Sequence, residues 1–306
     1  MLCLGIDTSN YTTSAAVYDT ATGRLVQARR LLTVREGELG LRQSDAVFQH
    51  TINLPDMIQD VMKQVDGKIE RVGVSVSPRD EEGSYMPCFM AGKGVARAIS
   101  DVTGAEIKYF SHQAGHIMAA LYSSESMQLV NDEFIAFHVS GGTTEAVKVT
   151  PHKEKVFTAE LVASSLDLKA GQAIDRAGKL LGLPFPAGQA LDSLSLESSR
   201  VYKIKPFMRE GNCSLSGLQN KCEKMKSDGE SDADIAKYCI DYISQVLCEM
   251  TKSIREKYPS LPLVYSGGVM SNTLIRKRFT EEFGAVFAGH GFSSDNAAGL
   301  AVLASV

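Results

Sequence analysis

His112 and His116 stand four residues apart in Ser111-His112-Gln113-Ala114-Gly115-His116. On a helix this spacing puts both imidazoles on one face, one turn apart, which suits chelation of a single cation. Ser294-Asp295-Asn296-Ala297-Ala298 opens a second helix in a similar way, and in both a serine precedes the start as an N-cap. If these helices close two related halves of the chain, their starts face each other and Asp295 joins His112 and His116 as third ligand. Two neutral imidazoles and a carboxylate suit Fe(II), Zn(II) or Mn(II) and leave positions open for water or substrate. A zinc peptidase helix instead needs His-Glu-x-x-His, with the glutamate as general base. Gln113 stands there, and an amide cannot take a proton, which speaks against peptidase chemistry.

A second set of residues suits a nucleotide. Ser140-Gly141-Gly142-Thr143-Thr144 follows a strand, and its glycines let backbone N–H groups approach an anion while the hydroxyls add donors. Ser266-Gly267-Gly268-Val269 leads from a strand into a helix near Asn272, a turn suited to close packing of a purine or ribose. Such turns also serve as plain connectors. Asp7, at the end of the first strand, has the position of a metal–phosphate coordinator in a hairpin phosphate loop. Asp175 lies near the start of a helix that Gly182 and Pro184 end. It reads either as a surface carboxylate favoured by the helix dipole or as an acceptor for ribose hydroxyls, with Gly188 letting the backbone close over the ligand.

The elements that must position these residues occur twice. Residues 4–17 and 137–147 each read as an apolar strand, a short turn, Thr-Thr and a second strand, which is a hairpin pattern. After the first come a helix at 47–62, a strand at 72–76, a helix at 92–102, a strand at 107–110 and a helix at 112–121. After the second come a helix at 171–181, a strand at 262–265, a helix at 272–283, a strand at 286–287 and a helix at 295–304. This alternation predicts an α/β protein of two duplicated lobes, each largely parallel after its hairpin, with a nucleotide cleft between them. The lobes are expected at 1–125 and 126–306, the second enlarged by a mainly helical insertion at about 183–260. Asp7, the Gly-Gly turns and the duplication together form an actin-like ATPase signature.

Composition sets outer limits. The 306 residues are 44% hydrophobic and 22% charged, ordinary for a globular enzyme. No apolar run reaches the roughly 18 residues of a membrane helix, and Met1-Leu2-Cys3-Leu4-Gly5 runs into a strand without a basic leader, so a cytoplasmic protein without membrane association is expected. The six cysteines form no C-x-x-C pair and read as reduced core residues. The net charge of −4 gives no general attraction for nucleic acid, but residues 200–226 hold seven basic residues against Glu210 and Glu223. That segment is either a solvated surface or a docking patch for a polyanion such as RNA.

Taken in order, these motifs resemble the transferase subunit of the tRNA N6-threonylcarbamoyladenosine machinery, formerly called O-sialoglycoprotein endopeptidase. The likeness runs through Gly83-Ser84, Gly92-Lys93-Gly94, His112-x-x-x-His116, Val139-Ser140-Gly141-Gly142 and Asp175 to Gly188. It continues in Ser214-Leu215-Ser216-Gly217-Leu218, Ser266-Gly267-Gly268-Val269 with Asn272, and Ser294-Asp295-Asn296-Ala297-Ala298. The resemblance implies iron or zinc on His112, His116 and Asp295. It implies contacts to threonylcarbamoyl-adenylate from His138, Val139, Ser140, Gly141, Gly142, Asp175, Gly188 and Asn272, with Gly267 and Gly268 beside them. Asp7 and Lys93 are the candidate catalytic residues. The implied reaction moves threonylcarbamoyl from the adenylate to N6 of adenosine 37 in tRNA, with an adenylate-forming partner and a paralogous actin-like partner protein.

The sequence also departs from the family pattern. Asp7-Thr8-Ser9-Asn10-Tyr11-Thr12-Thr13 lacks the family's acidic pair, Gly37 to Asp45 replaces its Ala-Ser-Arg-x-His segment, and Thr143 stands where a histidine is usual. The chain therefore reads as a divergent member altered on the acceptor side. The alternatives to tRNA modification are carbamoyl-type transfer to a small molecule, and a non-catalytic nucleotide-binding paralogue acting in a complex.

Overall fold

The computed structural model describes residues 1–9, 11–34, 41–294 and 297–306. β1 (Leu2–Ser9) is buried along its whole length, as its apolar run requires of a central strand. It turns back through β2 (Thr12–Asp19), which pairs antiparallel with β1 and with β3 (Leu25–Leu31). The chain continues through α1 (Gln43–Met62), β4 (Ile69–Ser77), α2 (Phe89–Thr103), β5 (Glu106–Ser111) and α3 (His112–Ser123). β4 lies parallel to β1, and β5 parallel to β4, so the order is β3-β2-β1-β4-β5.

The second sheet repeats this plan. β6 (Phe134–Val139) and β7 (Thr144–His152) form the hairpin, and β8 (Val156–Ser164) is the third strand. After α4 (Ala170–Leu180) comes the insertion: α5 (Gly188–Ser195), the short hairpin β9 (Met208–Arg209) with β10 (Asn212–Cys213), α6 (Ser216–Ser227) and α7 (Asp232–Lys257). β11 (Leu263–Ser266), α8 (Thr273–Phe283) and β12 (Val286–Phe287) follow. The order β12-β11-β6-β7-β8, with β6, β11 and β12 parallel, is the first sheet's order again. The duplicated α/β architecture thus agrees with the hairpin repeat. The outer strands β3 and β8 carry mixed, partly exposed residues, which is why apolar patterning did not mark them.

The last helix, α9 (Ala298–Ser305), departs from the division at 125/126. The chain forms one unit of residues 1–131, 151–159 and 294–306 and another of residues 132–150 and 160–293, so α9 belongs with the first sheet. Its sequence, AGLAVLAS, is apolar on every side and needs burial all round. The first sheet provides the seat: a side chain at Gly5 or Gly73 would overlap the Ala297 or Leu300 carbonyl oxygen of the helix lying on them. The predicted helix start at Asp295 lies outside the described residues. α9 begins at Ala298 with Ala297 as an N-cap lacking a side-chain bond, and the Ser294 hydroxyl accepts instead from the Arg29 guanidinium. Ser111 does cap α3, accepting from the Ala114 N–H at 3.1 Å.

All six cysteines are free and buried, and Cys213, Cys222, Cys239 and Cys248 pack in the second unit's core with α4 to α8. Among the described residues no helix is long and apolar enough to cross a membrane.

His50 on α1 is fully buried, with Nδ1 2.8 Å from the Thr13 hydroxyl. Burial pushes its pKa down to about 4, against the opposing pull of the Asp7 charge and the Ser9 backbone. The unfolded imidazole, with a pKa near 6.5, takes up a proton in a range where the folded one does not. Stability should therefore fall as the pH drops from about 6.5 to about 4, by on the order of 2–3 kcal/mol from this group. Urea unfolding at a series of pH values should show that slope in the wild type and lose it in His50→Gln; equal slopes would remove His50 as the cause.

Candidate active site

The predicted site residues fall into two groups, one in each unit. In the first unit, β1 ends beside β4, and β5 runs directly into α3. Asp7, wholly buried near the end of β1, accepts from the Ser75 hydroxyl on β4 and from Ser9 Oγ at 2.9 Å. One of its oxygens lies 3.1 Å from His112 Nδ1. His112 Nε2 in turn lies 2.9 Å from His116 Nε2. Asp7 is thus turned onto His112, and the i, i+4 pair converges as its helical spacing predicts. Nitrogens bound at about 2.0–2.1 Å to one cation lie roughly 2.9–3.4 Å apart, so the two imidazoles fit a shared metal, with Asp7 on the far ring nitrogen of one of them.

Asp295, the third predicted ligand, lies outside the described residues, as do Asn10, Asn296 and residues 37–40 of the altered segment. Among the described residues no group of three or more His, Cys, Asp or Glu side chains is arranged to hold a metal. Lys93 is not joined to the Asp7–His112–His116 chain: its ammonium lies 5.7 Å from the centre of the Tyr109 ring on β5. Its neighbour Gly92 does reach the site's framework, packing on Thr8, whose hydroxyl accepts from the Gly92 N–H at 3.1 Å and donates to the Cys88 carbonyl at 3.0 Å.

In the second unit the parallel pairing of β6 and β11 brings both Gly-rich turns to one carboxyl edge, where ligands bind in open α/β sheets. The turn after β6 is closed internally. Ser140 Oγ accepts from the Gly142 and Thr143 N–H groups at 3.3 and 3.1 Å, and the Ser140 carbonyl accepts from Gly171 N–H at 3.0 Å. Gly141 and Gly142 face open space, which leaves room for an anion. Gly267 has φ of +97°, and a side chain there would overlap the Val139 backbone, so glycine is required for the second turn to lie against the first. His138 joins the strands from the side, with Nδ1 3.0 Å from Ser266 Oγ.

Asp175, half-buried on α4, accepts from the Ala187 N–H at 2.9 Å and so holds the turn that presents Gly188 at the start of α5. Asn272 is the N-cap of α8: its Oδ1 accepts from Ile275 N–H at 3.0 Å and its Nδ2 donates to Asp192 at 2.8 Å. The amide is therefore occupied at both ends by structure. Asp192 also accepts from the Thr273 N–H and hydroxyl. It ties α5, and with it Gly188, to Asn272, and sequence reading missed it because its partners lie 80 and 81 residues away. Asp167 was missed for the same reason. Burial works against its charge, yet the Ser214 hydroxyl, Ser216 and the Leu215 and Leu168 N–H groups hold its carboxyl well below the usual carboxylate range. The Ser214-to-Leu218 motif is thereby fixed at the start of α6.

Solved structures share this fold at low identity. Full-length HypF in its phosphate- and nucleotide-bound form aligns with a TM-score of 0.61 at 13% identity, over 98% of this chain and 54% of that one. Component A of (R)-2-hydroxyglutaryl-CoA dehydratase from Acidaminococcus fermentans gives 0.55 at 15%, over 99% and 96%. A ROK family glucokinase from Streptomyces griseus gives 0.53 at 12%, over 100% and 99%. The class is that of the actin-like ATPase fold.

Sequence relatives narrow it. The tRNA N6-adenosine threonylcarbamoyltransferase of Buchnera aphidicola subsp. Schizaphis graminum is 28% identical over 325 residues, covering 100% of this chain and 92% of that protein. That of Polaromonas naphthalenivorans is 28% identical over 292 residues, covering 91% and 80%. The family model for tRNA N6-adenosine threonylcarbamoyltransferase matches residues 34–302, and the chain belongs to this family.

Proposed function

We propose that this chain transfers a threonylcarbamoyl group from threonylcarbamoyl-adenylate to N6 of adenosine 37 in tRNA. The observation that carries the reading is the Asp7–His112–His116 relay, with two imidazole nitrogens 2.9 Å apart, in a chain of this family. In the reaction the N6 amine attacks the carbamoyl carbon and a C–N bond forms. The bond from that carbon to the adenylate phosphate oxygen breaks, AMP leaves, and N6 gives up one proton. A divalent cation, iron or zinc, held by His112, His116 and Asp295, would supply Lewis-acid polarisation of the carbamoyl oxygen when bound. Asp7 orients His112 by accepting from Nδ1–H, which keeps the Nε2 lone pair outward. The open turn at Gly141 and Gly142 receives the adenylate phosphate, and the Gly267-Gly268 turn lies against the nucleoside. The second oxygen of Asp175 accepts from the ribose, and Gly188 leaves space beside it.

Asp175→Ala should weaken adenine-nucleotide binding by about 1–3 kcal/mol, the range for charged hydrogen bonds. Calorimetry with ATP and AMP measures it, and an unchanged affinity removes Asp175 from the site. The reaction itself is tested with the full chain, an adenylate-forming partner, a paralogous actin-like partner, threonine, bicarbonate, ATP and a tRNA transcript, reading the modified nucleoside by mass spectrometry.

One observation favours a second acceptor. Tyr11, where the family has an acidic residue, is exposed at the β1–β2 turn. Label from threonine and bicarbonate appearing in a small molecule, with none in tRNA, would move the reading to carbamoyl-type transfer onto that molecule.

A further inference from the structure

Residues 201–207 contain no helix or turn and run straight into β9, and exposure alternates residue by residue from Val201 to Arg209. Val201, Lys203, Lys205, Phe207 and Arg209 face solvent; Tyr202, Ile204, Pro206 and Met208 face inward. The inner face fixes the segment. The Tyr202 hydroxyl donates to the Asp234 carbonyl at 3.0 Å, its ring stands edge-on to Tyr238 at 5.0 Å, and Met208 packs on the second unit's core. The end is fixed by the β9–β10 hairpin, whose Glu210-Gly211 turn has positive φ at both residues.

The charges on this strap are not equivalent. Arg200 is neutralised by Glu230 and Asp234, and Lys226 by Asp232. Lys203, Lys205 and Arg209 have no acidic partner among the described residues. Side chains on one face of an extended segment recur about every 6.6 Å, of the same order as successive phosphates on an extended strand. Between the cations stands Phe207, 62% exposed. A buried anchor explains the inner face but not an exposed phenyl ring among three unpaired cations. Cations tracking a backbone with an aromatic to stack a base is the pattern of single-stranded nucleic-acid recognition.

We infer that residues 201–209 are an RNA-binding strap: Lys203 and Lys205 bind neighbouring phosphates of an unpaired stretch of the substrate, Arg209 binds a phosphate further along the same strand, and Phe207, between them, stacks on one of its bases. The inference rests on the tRNA reading above and assigns the surface that holds the RNA. Each lost phosphate contact removes about 0.7 from the slope of log affinity against log salt for a single strand. Replacing Lys203, Lys205 and Arg209 by glutamine in the full chain should therefore lower that slope for a tRNA transcript by about 2. Phe207→Ala should weaken binding by about tenfold with the slope unchanged, and Phe207→Tyr should restore it. Fluorescence anisotropy across a salt series reads both, with circular dichroism and ATP affinity as checks that the variants are folded. If the wild type binds and modifies tRNA but the triple variant keeps its slope, the strap is wrong and the function stands. If the triple variant keeps its slope but no longer co-elutes with an acidic partner protein, the strap is a protein contact and the inference fails. If the wild type binds no tRNA, both fall together.

Discussion

Asp7→Asn should lower the affinity for Zn(II) by about 10–100-fold, the range for losing a partner behind a metal-binding histidine. The carboxylate is acceptor-only and faces Nδ1 of His112, 105 residues away. It therefore selects the tautomer with hydrogen on Nδ1 and the lone pair on Nε2, 2.9 Å from His116 Nε2. Asparagine of the same shape can place its NH2 there, which favours hydrogen on Nε2 and blocks the lone pair. His116→Ala should abolish high-affinity binding. Anaerobic calorimetric titration of both variants, with metal content by elemental analysis, tests this apart from turnover. An Asp7→Asn affinity within twofold of the wild type would show that the carboxylate does not set the histidine. Equal metal in His116→Ala would sink the metal assignment altogether.

Gly299→Ala should destabilise the protein although alanine is the better helix former by up to about 1 kcal/mol. A methyl group at Gly299 would overlap the Gly115 carbonyl oxygen and come within 2.7 Å of the Ala119 N–H, so α9 and α3 meet backbone to backbone. Neither helix can yield easily, because α9 is also seated on Gly5 and Gly73. Overpacking of this kind costs about 1–3 kcal/mol or more. Gly115→Ala makes the internal comparison: the nearest atoms to its new methyl belong to the Leu300 side chain, at 3.2 Å, a contact that a shift of a few tenths of an ångström relieves, with no backbone atom overlapped. Urea unfolding should place Gly299→Ala clearly below both Gly115→Ala and wild type. Because α3 carries His112 and His116, Gly299→Ala should also weaken Zn(II) binding. A Gly299→Ala protein as stable as the wild type would mean that the helices do not touch as described.

The legible part of this protein is local. Two strand–turn–Thr-Thr patterns marked β1 with β2 and β6 with β7, because alternation and turn residues are decided within about a dozen positions. The spacing of His112 and His116 placed both rings on one face because the pitch of a helix requires it, and the Gly-Gly turns were legible as turns after strands, whereas the close approach of Gly267 to the Val139 backbone was not. What the sequence determined by itself was the hairpins and the strands and helices that follow them in each half, their duplication and the residue types able to bind a cation and an anion; the outer strands β3 and β8 and the elements of the insertion it did not mark. Tertiary structure decided that α9 packs in the first unit, that Asp7 is spent on His112, that Asp192 holds Asn272, and that Lys203, Lys205, Phe207 and Arg209 share one exposed face. Those facts join residues up to hundreds of positions apart. They depend on which strands become neighbours and which glycines admit a helix, a choice made by packing the whole chain and written in no single stretch of it.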